Sequence, residues 1–370
     1  MSIKVFVIRA DNLEEIVDRV SIVANDVLQN KSNQSILVKP NCVGAYKPER
    51  GVTTNPDLVY SICSKLSVQG HNITMGDCHG GSPGTVNYIF TKAEFIPKSA
   101  KWFKNIGIDA KETELKCRPS GKVSLCTTAL ESDLVISVAK FKASCYMILS
   151  GAVKNLYGMI PGTQKAKIHE EFPGRDDFAN MLIELSKKPK RTMAIIDGSI
   201  VMEGNGPVHG KLRKENIYII SESIYAADFI VAQMMGLKPE QIPTVKKSIK
   251  DGLLNPEMIT LVADEGDILL KDFIVPVTLS SYMAGQDDKV DECVRKIASI
   301  KVIFDYEKCI KCEQCKEHCP VNAITMTPKP VINEKLCIHC FCCNELCPVG
   351  AANVESSIQD VWDNVMSSEA

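Results

Sequence analysis

The chain has 370 residues, with 43 Lys and Arg against 45 Asp and Glu and a net charge of −2. Near-neutrality without a basic block argues against a nucleic-acid partner, and no apolar run reaches the roughly 18 residues that a membrane span needs. This length suits two or three domains.

Residues 3–8 read as a first strand. Residues 1–9 show no charged leader before an apolar core, so no export signal is expected there. With sixteen cysteines, that points to a reducing cytoplasm. A helix is expected over 13–28, where Leu13, Ile16, Val17, Val20, Ile22, Val23 and Val27 recur at helical spacing. Strands follow at 36–38 and 72–75, with a helix started by Asn55-Pro56 between them. Residues 133–138 form a β-branched, buried-strand pattern, and 193–196 and 217–220 read as further strands. A helix over 224–235 ends at Gly236. Strands alternating with helices predict an α/β domain with a mainly parallel sheet over residues 1–300. Ligand sites in such sheets lie beyond the carboxyl ends of strands.

The expected loops there are rich in polar and flexible residues: 39–44, 76–84, 140–145, 150–158, 197–198 and 203–207. Their glycines permit close backbone approach to a ligand. Lys39, Lys140, Lys142, Lys154, Lys165 and Lys167 give a positive bias suited to a phosphate or carboxylate. Lys39, Asn41, Asp77 and Lys154 are the first catalytic candidates, with Gly80, Gly81, Gly151 and Asn155 as cofactor-binding candidates. Taken singly, most of these lysines read as solvated. Cys42, Cys78 and Cys145 read as small buried hydrophobes, and His169 as a surface histidine. No run matches a nucleotide-binding fingerprint.

Near the C-terminus, Cys309, Cys312, Cys315 and Cys319 follow C-x2-C-x2-C-x3-C, closed by Pro320. Cys337, Cys340, Cys343 and Cys347 repeat it, closed by Pro348. Three cysteines in one tight turn leave no strain-free disulfide pairing, and the spacing is not that of a zinc site. The duplication extends to Asp305 and Asn333, and to Ala323 and Ala351. Residues 301–354 resemble the bacterial two-cluster ferredoxin domain. That resemblance implies two 4Fe-4S clusters with crossed ligation: Cys309, Cys312, Cys315 and Cys347 on one, Cys337, Cys340, Cys343 and Cys319 on the other. Cys342 is surplus, and His318 and His339 are expected to pack rather than ligate. Residues 355–370 are expected to form a helical tail.

Val38-Lys39-Pro40-Asn41, Gly76-Asp77, the Lys-Asn-Leu-x-Gly segment within 150–158, Ile196-Asp197-Gly198 and Glu203-Gly204-Asn205-Gly206-Pro207 resemble domain-of-unknown-function family 362. That family often carries the same ferredoxin module, so the resemblance implies the whole architecture. The chain departs from it after Lys142, where Ala143-Ser144 stand in place of the usual Thr-His. The lysine-containing segment is also faintly similar to lactate racemase, which would make Lys154 a cofactor anchor. The expected function is iron–sulfur oxidoreduction, with electrons passing from a ferredoxin-like protein through the clusters to an anionic or carbonyl-bearing ligand of the α/β domain. A flavin or another organic cofactor could join one-electron clusters to a two-electron substrate, although no flavin motif is present. The alternatives are a non-catalytic carrier that docks to a redox enzyme, or an iron–sulfur sensor or maturation protein. Oxygen-sensitive clusters point to an anaerobic source.

Overall fold

The computed structural model describes residues 2–80, 83–162, 164–264, 266–279 and 300–356. One eight-stranded sheet is built from β1 (Ile3–Arg9), β2 (Ser35–Pro40), β3 (Asn72–Met75), β6 (Leu134–Ser144), β7 (Ile148–Ser150), β8 (Thr192–Glu203), β9 (Lys211–Ser221) and β10 (Ile259–Ala263). Its order is β10-β1-β9-β8-β6-β2-β3, with β7 beside the far end of β6. The β1–β10, β2–β3, β2–β6 and β6–β8 pairs are parallel, whereas β9 runs antiparallel to both β1 and β8. The mainly parallel α/β architecture is thus present. A separate hairpin, β4 (Ala110–Glu114) with β5 (Lys122–Cys126), has no counterpart in the sequence reading. Both strands are short and β4 is largely exposed, so they carry little apolar signal.

Side-chain alternation sends each strand's residues into two cores. Val5 and Val7 enter one, while Phe6 and Ile8 enter the other. Helix Glu14–Val27 covers the second core with Ile16, Val17, Val20 and Val23. Helix Pro56–Val68 joins it there, started by the Asn55 side chain accepting from the Asp57 N–H at 2.9 Å, with proline in its first turn. Helices Arg175–Ser186 and Ile224–Met234 cover the opposite face.

Two strands run further than their apolar runs suggest. The polar stretch expected as a loop after residue 138 continues β6 to Ser144, and all of it is buried. Asp197-Gly198, likewise expected as a loop, lies within β8. The reason is pairing beyond the parallel body of the sheet. Here β6 gains β7 as an antiparallel partner, and β8 stays hydrogen-bonded to β9 as far as Glu203. Between Lys140 and Lys142 the register slips, so that β8 sets Gly198–Val201 against the single Phe141. Such a bulge re-aims side chains. Lys140 ends beside Asp197, and Lys142 faces a different cavity.

The cysteine-rich lobe has strands β11 (Ile300–Phe304), β12 (Ile324–Met326), β13 (Pro330–Ile332) and β14 (Ala352–Ser356). Each half contributes a strand, a loop, one helical turn (Gln314–Glu317 or Cys342–Glu345) and a second strand. The halves interlock, since β11 pairs with β14 and β12 with β13. Val302, Phe341, Ala351, Ala352 and Val354 continue one core of the large sheet. Asn205 Nδ2 donates to Val354 O at 3.0 Å, and His209 Nε2 lies 2.8 Å from Cys347 O. The helix expected beyond β14 and Gly81 lie outside the described residues. No helix among the described residues is long and apolar enough to cross a membrane.

Candidate functional site

The ends of β2, β3 and β6 and the segment after β7 meet in a buried polar network. Lys39, at the end of β2, pairs with Asp77 at 2.7 Å, and both are buried. Asp77 also accepts the N–H groups of Cys42 and Cys78, each at 2.9 Å, so both carboxylate oxygens are engaged. Asn155 is equally committed. Its Oδ1 lies 3.3 Å from both Lys39 Nζ and Asn41 Nδ2, and its Nδ2 donates to Lys39 O at 3.3 Å and Ser137 Oγ at 3.0 Å. This satisfaction is what lets charged and amide groups sit in a core.

Gly158 is the residue this network requires. A Cβ there would lie 2.0 Å from Asp77 Oδ1 and 2.5 Å from Lys39 Nζ. Gly151 has a parallel role. The Asp228 carboxylate caps helix Ala152–Asn155 by accepting from Ala152 N at 2.6 Å and Val153 N at 3.1 Å, and a Cβ on Gly151 would stand 2.2 Å from it. Glycine in the Ser-Gly-Ala-x-Lys-Asn-Leu-x-Gly stretch therefore makes room for two buried carboxylates of the protein itself.

Next to this network lies a cleft with about 930 Å³ of unfilled space, part of it open to solvent. Asn41, Lys142, Lys154, Lys165 and His169 line it from the large domain, and His318, Cys342, Glu345 and Leu346 close it from the cysteine lobe. Lys142 is fully buried and donates to Asn41 Oδ1 at 2.8 Å and Val52 O at 2.7 Å. Burial, with repulsion from Lys154 and Lys140, pushes its ammonium down to about 7. Lys154 sits 3.6 Å from Glu345 and 3.5 Å from Ser144 Oγ. Ser144 is where the family's usual histidine is missing, and it turns its hydroxyl toward Lys154. Lys165 donates to the carbonyls of Cys78 and His79.

His169 departs from its expected surface position. Its ring stacks on Phe178 at 4.6 Å between Tyr146 and Tyr157, and its Nδ1 is buried without a hydrogen-bond partner among the described residues. Burial lowers its pKa to about 3, which keeps it neutral near pH 7. The misreading has a local cause. Gln164–Glu171 is a polar helix whose single fully buried apolar side chain is Ile168, so nothing in its composition betrays the aromatic cage.

Of the sequence candidates, Asn41, Asp77, Gly80, Lys154 and Asn155 line the cleft. Lys39 and Gly151 stand behind its wall. Lys142 and Lys165, expected in solvent, and His169, expected at the surface, all face the cleft. The readable signal for Lys142 was a lysine at every second position, 140 and 142, continuing an apolar strand. Cys42, Cys78 and Cys145 are buried, as expected.

The cysteine lobe holds two smaller cavities. Cys309, Cys312, Cys315 and Cys347 line one, of about 320 Å³. Cys319, Cys337, Cys340 and Cys343, with Cys342, line the other, of about 360 Å³. The repeat holds at the level of single bonds. The Cys309 N–H donates to Asp305 O and the Cys337 N–H to Asn333 O, both at 3.1 Å. Ala323 N donates to Cys319 Sγ at 3.2 Å and Ala351 N to Cys347 Sγ at 3.1 Å. Lys311 and Glu313 have positive φ, as do His339 and Phe341 in the second loop. Alternating handedness of this kind turns backbone N–H groups into an anion-binding concavity. Four thiols around each cavity, with N–H donors to sulfur, fit an iron–sulfur cube.

Asp228 has a consequence for pH dependence. Burial raises its carboxyl to about 7, against the two backbone hydrogen bonds that favour ionisation. With an unfolded value near 4, the folded chain binds the extra proton between about pH 4 and 7. This group's contribution to stability is therefore complete below that window and is lost as pH rises through it. Asp228→Asn is expected to remove a slope of up to one proton from the stability profile, as measured by chemical denaturation between about pH 5 and 7. An unchanged slope would place the titration elsewhere.

A mainly parallel α/β domain joined to a thiol-rich lobe of ferredoxin type defines an iron–sulfur electron-transfer protein. Residues 302–325 match the 4Fe-4S binding domain, and residues 36–233 match the domain of unknown function DUF362. The chain belongs to the DUF362 family. It is 29% identical over 231 residues to a thylakoid-associated protein of Synechocystis, an alignment covering 61% of this chain and 70% of that one. Among solved structures, the lactate racemase apoprotein of Thermoanaerobacterium thermosaccharolyticum overlaps with a TM-score of 0.38 at 17% identity, covering 63% of this chain and 56% of that one. A Thermotoga maritima protein overlaps at 0.39 and 11% identity, covering 62% and 61%. The chain thus spans less than two thirds of either solved structure. Overlaps at that level define neither a shared site nor a shared reaction.

Proposed function

We propose that the protein is an iron–sulfur oxidoreductase in which two 4Fe-4S clusters serve an acceptor bound in the cleft. One would be held by Cys309, Cys312, Cys315 and Cys347, the other by Cys319, Cys337, Cys340 and Cys343. The observation that carries this reading is the shared wall: Cys342, inside the second cysteine loop, lines both the cleft and the cavity of the second thiol set. When bound, such clusters supply one-electron transfer. The first set lies outward. Cys312 is exposed and its neighbour Ile310 is 61% exposed, which suits a protein donor that docks there. The order is then donor, outer thiol set, inner thiol set and cleft.

The large domain's part is to hold the acceptor. Lys142 and Lys154 offer positive charge, while Tyr157 and Leu346 restrict water. An anionic or carbonyl-bearing molecule suits that lining, and a flavin or other organic intermediary would have to share the same space. The test is native mass spectrometry of chain purified without oxygen, with iron and sulfide assays. About eight irons and eight sulfides per chain are expected. About four irons, or zinc in place of iron, sinks the two-cluster reading. Electron exchange with carrier proteins and with no small molecule would favour the non-catalytic carrier.

A further inference from the structure

We propose that the cleft binds a small carboxylate, clamped between the ammonium groups of Lys142 and Lys154. This rests on reading the cleft as the acceptor site and names the chemical class that it takes.

The argument begins with what each buried lysine has for a counter-ion. Lys39 has Asp77 at 2.7 Å and Lys140 has Asp197 at 2.9 Å. Lys142, equally buried, has among the described residues two neutral oxygens as partners, of Asn41 and Val52. An ammonium carries three N–H donors, so two are used and one remains on a side chain that lines the cleft. A buried cation without a counter-ion is costly, and an opposite charge brought to it recovers much of that cost. Lys154, on the same cleft, has its nearest carboxylate only at 3.6 Å, in Glu345 of the other lobe. The remaining acid on the wall, Asp77, is spent on Lys39 and two backbone N–H groups. Among the described residues that line the cleft, Lys142, Lys154 and Lys165 thus face Glu345 as the one carboxylate not already spent, and an anion would complete them.

The type of anion is narrowed by how the lysine-bearing segment is already used. Phosphate sites commonly use backbone N–H groups at a helix start. The N–H groups at the start of helix Ala152–Asn155 are already filled by the Asp228 carboxylate. Side-chain ammonium groups beside the amide of Asn41 and the Tyr157 and Leu346 side chains suit a small carboxylate instead. The His169 ring belongs to the same lining, and its buried Nδ1 has no hydrogen-bond partner among the described residues.

The test is titration calorimetry on anaerobically purified, metal-loaded and oxidised protein, with propionate, malonate, succinate and inorganic phosphate as probes. At least one carboxylate is expected to bind more tightly than phosphate. Lys142→Met should weaken that binding roughly 10- to 100-fold, and Lys154→Gln roughly 3- to 10-fold. Melting temperature and cluster absorbance report whether each variant folds. If Lys142→Met does not fold, Lys154→Gln decides. The proposal is overturned if none of the three carboxylates binds, if phosphate binds more tightly than all of them, or if the folded variants keep the parent affinity. Because no reduction is involved, the outcomes separate. A bound carboxylate that never receives electrons upholds the clamp and sinks the acceptor reading. Electron delivery to another molecule without carboxylate binding does the reverse.

Discussion

Cys347→Ala is expected to strip iron from the first cysteine loop rather than the second. The iron content should fall from about eight to about four per chain. Alkylation mapped by mass spectrometry should then label Cys309, Cys312 and Cys315 and leave Cys337, Cys340 and Cys343 protected. The cause is the crossed arrangement, since Cys347 comes from the second run but lines the first cavity. Labelling confined to the second loop would mean that each run serves its own cluster. Loss of stability should accompany loss of iron, because ligation is also folding energy. The effect should spread into the large domain, since Val302, Ala351 and Val354 belong to one of its cores.

A second large effect concerns Asp77. Asp77→Asn should cost about 3–5 kcal/mol of stability, because it leaves the Lys39 ammonium buried without its counter-charge. Gly158→Ala should act in the same direction, since its Cβ would enter the space between Asp77 and Lys39. Denaturant unfolding of the whole chain measures both. A loss below about 1 kcal/mol in Asp77→Asn, well under the cost of breaking a buried pair, would free Asp77 from this structural role and return it to the chemistry of the cleft. The same comparison separates wall from site. Lys39 and Gly151 act on stability, whereas Lys142 and Lys154 are expected to act on binding.

Several residues conspicuous in the sequence, Lys39, Asp77, Gly151 and Gly158, hold the wall together. Glycines, a buried lysine and a strand-ending aspartate form a conspicuous pattern because a buried ion pair tolerates no Cβ beside it. The cleft residues were quieter. Lys165 and His169 sit in a polar helix, and Glu345 is one acid among several in a cysteine loop. Nothing local separates them from solvated side chains, because what distinguishes them is the surface they face.

From the chain alone came the thiol spacing and its duplication, since each cysteine loop spans only a few residues and its chemistry is local; the crossed sets were implied by the resemblance to two-cluster ferredoxins. The alternation of strands and helices, and so the α/β class, was equally readable from hydrophobic period. Only the tertiary structure decided that β6 and β8 carry their polar ends past the body of the sheet, because the strands that follow them, β7 and β9, fold back as antiparallel partners and supply hydrogen bonds that the polar composition of those ends does not announce. It also decided that the second cysteine loop closes a cleft in the large domain. Residues 142, 154, 169 and 345 meet there through packing between lobes, and contacts between residues so distant in sequence leave no periodicity to read.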